Sequence, residues 1–203
     1  DWGDGVTNTI TSISDVNITH TYTASGIYKI TILSPITGFK FNNTGDRLKL
    51  LEITNWGDFT VASGSFYGCL NLRLLNVRGV PKLIGNLCES FRSCTAITNI
   101  NNLNLWDLSS ATSMNAMFYG CTKFIGNGLE NWNVSNVTNM GNLFSLCSAF
   151  NRPLNWNVAN VLSMAFMFEK TAAFVQDVSS FNFNKNVILQ QFFLNKTASY
   201  PSA

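Results

Sequence analysis

The sequence predicts a repeat solenoid preceded by a small β segment, each copy of about 25 residues giving one short parallel strand plus a short helix or turn. Three observations carry this. First, Phe66, Phe91, Phe118, Phe144 and Phe168 recur at 25, 27, 26 and 24 residues. Second, other columns keep step with them. Three residues after each anchor stand Cys69, Cys94, Cys121, Cys147 and then Thr171, and three further on Leu72, Ile97, Phe124, Phe150 and Phe174. Trp106, Trp132 and Trp156 each stand twelve residues before their anchor. Third, only 12% of the 203 residues are charged while 46% are hydrophobic. The polar surface must therefore come from neutral side chains, chiefly 27 Asn and 37 Ser plus Thr.

In chain order, Asp1-Trp2-Gly3-Asp4-Gly5 opens as a tight turn, since Asp-Gly accepts the positive φ of a hairpin. No strand enters that turn, so the chain is expected to be a processed chain or a fragment. Residues 6–33 are rich in Thr, Ile and Val, with Ile27, Lys29 and Thr31 alternating with Tyr28, Ile30 and Ile32, which predicts strands. Pro35 closes that run. A β segment is expected at 1–38 and the repeats at 48–203.

Within the repeats, Leu48-Lys49-Leu50-Leu51-Glu52-Ile53 matches Leu72-Arg73-Leu74-Leu75-Asn76-Val77 at a distance of 24 residues, which predicts equivalent extended tracts. Val137, Met140, Phe144 and Cys147 are spaced 3, 4 and 3, the pattern of one face of a helix-like segment, and Val161, Met164, Phe168 and Thr171 repeat it. A sixth copy is expected to end the chain at Leu194, Thr197 and Tyr200, with Val187 seven residues before its anchor. One such unit cannot bury its own apolar face, so copies must stack, with strands about 4.8 Å apart.

Two resemblances follow from these residues. Trp2-Gly3-Asp4-Gly5 and His20-Thr21-Tyr22, with Gly26-Ile27-Tyr28-Lys29-Ile30, resemble the second half of a PKD repeat, an immunoglobulin-like sandwich. The phrase Asn131-Trp132-Asn133-Val134-Ser135-Asn136-Val137-Thr138-Asn139-Met140, with Phe144 and Cys147 behind it, resembles the repeat of BspA-like leucine-rich repeat surface proteins. The resemblance covers 48–203 and implies a solenoid of the leucine-rich-repeat type, of about six repeats. It also implies a secreted or surface-exposed protein, since relatives occur in bacteria, unicellular eukaryotes and large DNA viruses, and a role in adhesion or partner recognition. The copy from Phe59 to Phe66 lacks the Trp phrase, and Phe181 and Phe183 replace Trp in the last; those ends are expected to be caps.

The chemistry available is limited. A net charge of +2 without a Lys/Arg cluster gives no footprint for nucleic acid, and no run of 18 apolar residues spans a bilayer. His20 is the one imidazole, eleven carboxylates are scattered, and Asp1 and Asp4 are too few for calcium, so neither catalysis nor a metal or cofactor is expected. The Cys column is read as buried thiols acting as small hydrophobes, with disulfides between copies as the competing reading. Cys88 stands outside that column, one residue past the apolar position at Leu87. The Trp column is a core ladder or, with exposed rings, a sugar platform. Asn104, Asn131, Asn133, Asn155 and Asn157 are read as bonding the backbone of turns, with ligand contact as the sharper alternative.

The expected function is non-catalytic binding of a protein or glycan partner through the solenoid face, at Lys49, Glu52, Arg73, Asn76, Thr98, Asn99 and Arg152. The alternative is a structural component of a virion or surface layer, packing against neighbouring copies. The expected location is extracellular, at a cell or virion surface.

Overall fold

The computed structural model describes residues 1–130 and 132–194. Asn131, Thr197 and Tyr200 of the sequence analysis lie outside the described residues. The chain divides into two compact units, Asp1–Ile36 and Thr37–Ala203. The second therefore begins well before residue 48, because Phe39 and Phe41 belong to it: Phe39 meets Phe59 and Phe66 with ring centroids 5.4 and 6.1 Å apart.

The first unit contains no strand among the described residues, only a 3-10 turn at Val16–Ile18. Two hydrogen bonds pair Asp1 with Thr31, and that is as far as the predicted strand pairing goes. Tyr22 and Tyr28 stack at 3.9 Å, His20 lies flat on Trp2 at 4.9 Å, and the Tyr22 hydroxyl donates to the Trp2 carbonyl. The alternation at 27–32 selects no buried face: Ile27 is 89% exposed and Ile30 54%. A strand pattern without a partner to share its backbone groups does not become a strand.

In the second unit, four short strands are found among the described residues: β1 (Thr60–Val61), β2 (Lys82–Leu83), β3 (Gly85–Asn86) and β4 (Ala111–Ser113). β1 pairs with β2 and β3 with β4, both parallel. Single parallel bridges continue from Ser113 to Asn139, Ser163 and Ile188. Around the anchors the predicted helix-like segment is instead a pair of consecutive four-residue turns. Leu143 N–H donates to Met140 and Cys147 N–H to Phe144, and the third residue of each turn, Asn142 and Leu146, has a positive φ of 57° and 63°. Each described copy repeats this. Gly64 and Gly68, Glu89 and Ser93, Ala116 and Gly120, then Phe166 and Lys170 take the left-handed conformation two residues before and two after their Phe. Type II turns need positive φ at that position. A four-residue turn repeats almost at the helical period, so turns and helix produce the same apolar spacing.

These turns leave alternate N–H groups pointing along the stack. Met140, Asn142, Phe144 and Leu146 donate to the carbonyls of Ser163, Ala165, Met167 and Glu169 one copy on, and the preceding and following copies do the same. Every backbone donor in the tract thus has a partner, which an α-helix would have supplied internally.

The core consists of stacked columns. Phe66, Phe91, Phe118, Phe144 and Phe168 are buried, with successive ring centroids 5.4 to 6.1 Å apart. The sixth member is Phe193, 5.7 Å from Phe168, and not Leu194. Val187 N–H donates to Asn184 as Val161 N–H does to Val158, and Ile188 then pairs with Ser163, so this copy is one residue shorter beyond Val187. The 24-residue match at 48–53 also shifts. Glu52 pairs with Arg73, Arg47–Lys49 is a 3-10 turn, and Leu48 is exposed where Leu72 is buried. Leu50 and Ile53, which reach the core, set that register instead.

Candidate functional site

The expected partner residues occupy different settings. Lys49 is exposed and pairs with Asp46 at 3.1 Å. Glu52 and Arg73 are exposed neighbours on adjacent copies, and Asn76 is exposed two residues after Leu74, which pairs with Ile100. Thr98 is half-buried, its carbonyl accepting from Ile125 N–H. Asn99 is half-buried with its Oδ1 enclosed and unpartnered. Arg152 is half-buried, and its enclosed Nε also has no partner, so it departs from the outward position expected of it.

The Cys column has a role beyond filling space. Cys94, Cys121 and Cys147 donate Sγ–H to the carbonyls of Phe66, Phe91 and Phe118 at 3.1, 3.0 and 2.9 Å. Where Thr171 takes the place of Cys, its hydroxyl makes the same bond to Phe144 O at 2.7 Å. The alternation of Cys with Thr is therefore a choice between two small buried donors. All five cysteines are free thiols, Cys88 being half-buried with Sγ 3.1 Å from Ser113 Oγ. Burial pushes the Cys69 and Cys121 thiols up to about 12 and those of Cys94 and Cys147 well above their ordinary value. Such thiols are neutral and poor nucleophiles or metal ligands.

Trp106, Trp132 and Trp156 are buried and stack face to face at 6.1 and 6.3 Å, so their rings offer no platform to a sugar. The Trp132 and Trp156 indoles donate to Leu103 O and Leu129 O in the copy before, whereas Trp106 Nε1 has no partner, its preceding copy lacking the Trp phrase. The Asn columns hold turns. Asn133 and Asn157 accept from the N–H two residues on, and Asn136 and Asn160 donate to Ser109 O and Ser135 O across copies. Asp107 and Asp177 accept from Ser109 and Ser179 in the same way, and those N–H groups hold both carboxyls below their ordinary value.

His20 Nε2 lies 2.7 Å from Asp4, whose carboxyl this hydrogen bond lowers, and the imidazole is sandwiched by Trp2 and the edge of Tyr22. Among the described residues, no hydrogen bond joins a Ser, Thr or Cys to it, and no three His, Cys, Asp or Glu side chains gather as a metal site.

Two surface features were not singled out in the sequence. Tyr67, Arg92 and Tyr119 each follow an anchor Phe, and stacking places the Arg92 guanidinium 5.0 and 4.5 Å from the two ring centres, paired with Glu89. Reading the column one residue after each Phe would have found it. The second is a recess of about 340 Å³ whose wall includes Asn99, Asn101, Asn102, Asn104 and Asn127, with Leu75 and Gly128. Of the expected partner residues, Asn99 alone lines it. The signal in the sequence was the Asn-rich run 99–104.

Tracts about 25 residues apart are thus joined by backbone hydrogen bonds, with buried Phe, Cys and Trp recurring at equivalent positions. The family described as Mycoplasma protein of unknown function, DUF285, matches residues 85–201, more than half of the chain, and the chain belongs to that family. Neither the curated proteins nor the solved structures contain a match. No helix among the described residues is long and apolar enough to cross a membrane.

Proposed function

We propose that this chain is a non-catalytic recognition module: a leucine-rich-repeat type solenoid of the BspA-like kind behind a PKD-like segment, displayed outside the cell or on a cell or virion surface. The observation that carries this reading is the backbone ladder. Because each copy donates alternate N–H groups to the next, equivalent residues of successive copies are held at a fixed spacing, as Glu52 beside Arg73 illustrates. A regular face of that kind suits recognition by area. The neutral, buried thiols and the enclosed His20 also favour binding over catalysis.

The test is a combined protein and glycan array with the 203-residue chain, alongside mass photometry. Saturable binding by a monodisperse monomer that weakens in Glu52→Ala/Arg73→Ala supports the reading. Ordered self-association with no array ligand overturns it in favour of a structural component of a surface layer or virion.

A further inference from the structure

We infer that the asparagine recess is a binding site for an uncharged, hydroxyl-rich ligand, namely one or two sugar units of a neutral glycan. The inference rests on the recognition-module reading and narrows it to one place and one ligand chemistry. A volume of about 340 Å³ is in the range of small-molecule sites, roughly 300–1,000 Å³. The wall carries no ionisable side chain. An anion or cation entering it would lose water without gaining a countercharge, and a divalent cation would find none of the carboxylates it needs. An apolar ligand would strand the carboxamides. A carboxamide has an acceptor oxygen and two donor hydrogens in one plane. Sugar hydroxyls, each both donor and acceptor, satisfy such groups in either sense.

Two of the amides are held in place before any ligand arrives. Asn101 and Asn102 donate from Nδ2 to the carbonyls of Val77 and Gly79 in the copy before, at 3.1 and 3.3 Å. Ordering these side chains in advance lowers the entropy lost on binding. Gly128, at φ +99°, lines the recess beside Asn104. A Cβ there would come within 2.8 Å of Asn104 N, so glycine is what lets the two backbones approach. Asn99 also lines the recess, its Oδ1 enclosed and without a donor. Leu75, 51% exposed at the edge, gives an apolar surface for the C–H face of a sugar ring.

The experiment is an amide NMR titration of the whole chain with lactose and, separately, N,N′-diacetylchitobiose, together with the neutral and uronic-acid oligosaccharides of the array. The expected result is saturable shifts confined to 99–104 and 127–128 with one of the two disaccharides. Binding should weaken about tenfold in Asn99→Ala and in Asn127→Ala, the effect of one hydrogen bond, and stay unchanged in Asn186→Ala, an exposed asparagine outside the recess. Saturable shifts elsewhere, or binding indifferent to both recess variants, overturn the site but leave the recognition module standing. Capture of a protein or an acidic glycan without any neutral sugar overturns the ligand class alone. Silence toward every array member overturns both.

Discussion

Trp106 and Trp132 occupy the same column, are equally buried and differ in one hydrogen bond, which makes them a matched pair. Trp132→Phe removes one of the two donors to Leu103 O, and the loss should lower stability by about 1 kcal/mol more than Trp106→Phe, whose indole N–H already lacks a partner. Chemical denaturation of the two variants measures the difference; equal losses would mean that the indole bond contributes nothing. The left-handed turn residues offer a second comparison. Gly68 and Gly120 occupy this position without penalty, whereas Leu146 and Lys170 hold a side chain at φ 63° and 53°. Lys170→Gly should therefore raise stability by up to about 1 kcal/mol, less the entropy glycine adds to the unfolded chain. Its ion pair among the described residues, to Glu169 at 3.9 Å, is too long and too wet to offset that. A fall in the urea midpoint would show that the turn is not strained.

One copy of the repeat is a pair of turns plus a bridge, and it has no internal hydrogen-bond ladder to sustain it alone. Its stability comes from the copies above and below. Phe118 touches Phe91, Phe124, Phe144 and Trp132, so Phe118→Ala empties a space shared by three copies and should cost about 3–5 kcal/mol. Cys121→Ala removes a small group and one of the two donors to Phe91 O, the Cys94 N–H remaining, and should cost about 1 kcal/mol or slightly more. Hydrogen exchange on the Phe118 variant should show lost protection on both sides, at the amides of 89–93 and 142–146. Loss confined to the mutated copy would refute the coupling.

For the molecule as a whole, the Cys column sets an alkaline limit. Burial raises Cys69 and Cys121 to about 12 and Cys94 and Cys147 well above their ordinary value in the folded chain, while unfolded thiols ionise near 9. The contribution is complete below pH 9 and is lost as pH rises from 9 towards 12, because the unfolded state then releases protons that the folded state keeps. Denaturation at pH 7, 9 and 10.5 should show a steepening decline, and Cys121→Ala should be less sensitive across that window. An identical pH profile for parent and variant would count against the burial. Thiol titration at neutral pH should find one fast-reacting group, Cys88, and four that react only on unfolding. On the acid side, Asp107 and Asp177 act in the opposite sense, their contribution being lost as pH falls below about 4.

The period and the identity of the core columns were legible in the primary structure, because burial recurs wherever the chain comes back to the same place. Phe, Cys and Trp at fixed offsets record that return directly. The conformation between them was not legible: four-residue turns and an α-helix produce the same 3, 4, 3 spacing. What separates them is a positive φ at residues such as Leu146 and Phe166, which no local preference of Leu or Phe indicates. Only hydrogen bonds to a copy about 25 residues away hold them there. The same non-local bonding made Phe193 the last anchor, drew Phe39 and Phe41 into the second unit and turned the thiols into donors. In the first unit the alternating pattern at 27–32 was present, but a strand also needs a neighbour. The recess follows the same logic. Its asparagines were visible as a run of polar residues, while the enclosed Oδ1 of Asn99 and the close approach at Gly128 come from stacking one copy on another, a relation that only the folded chain contains.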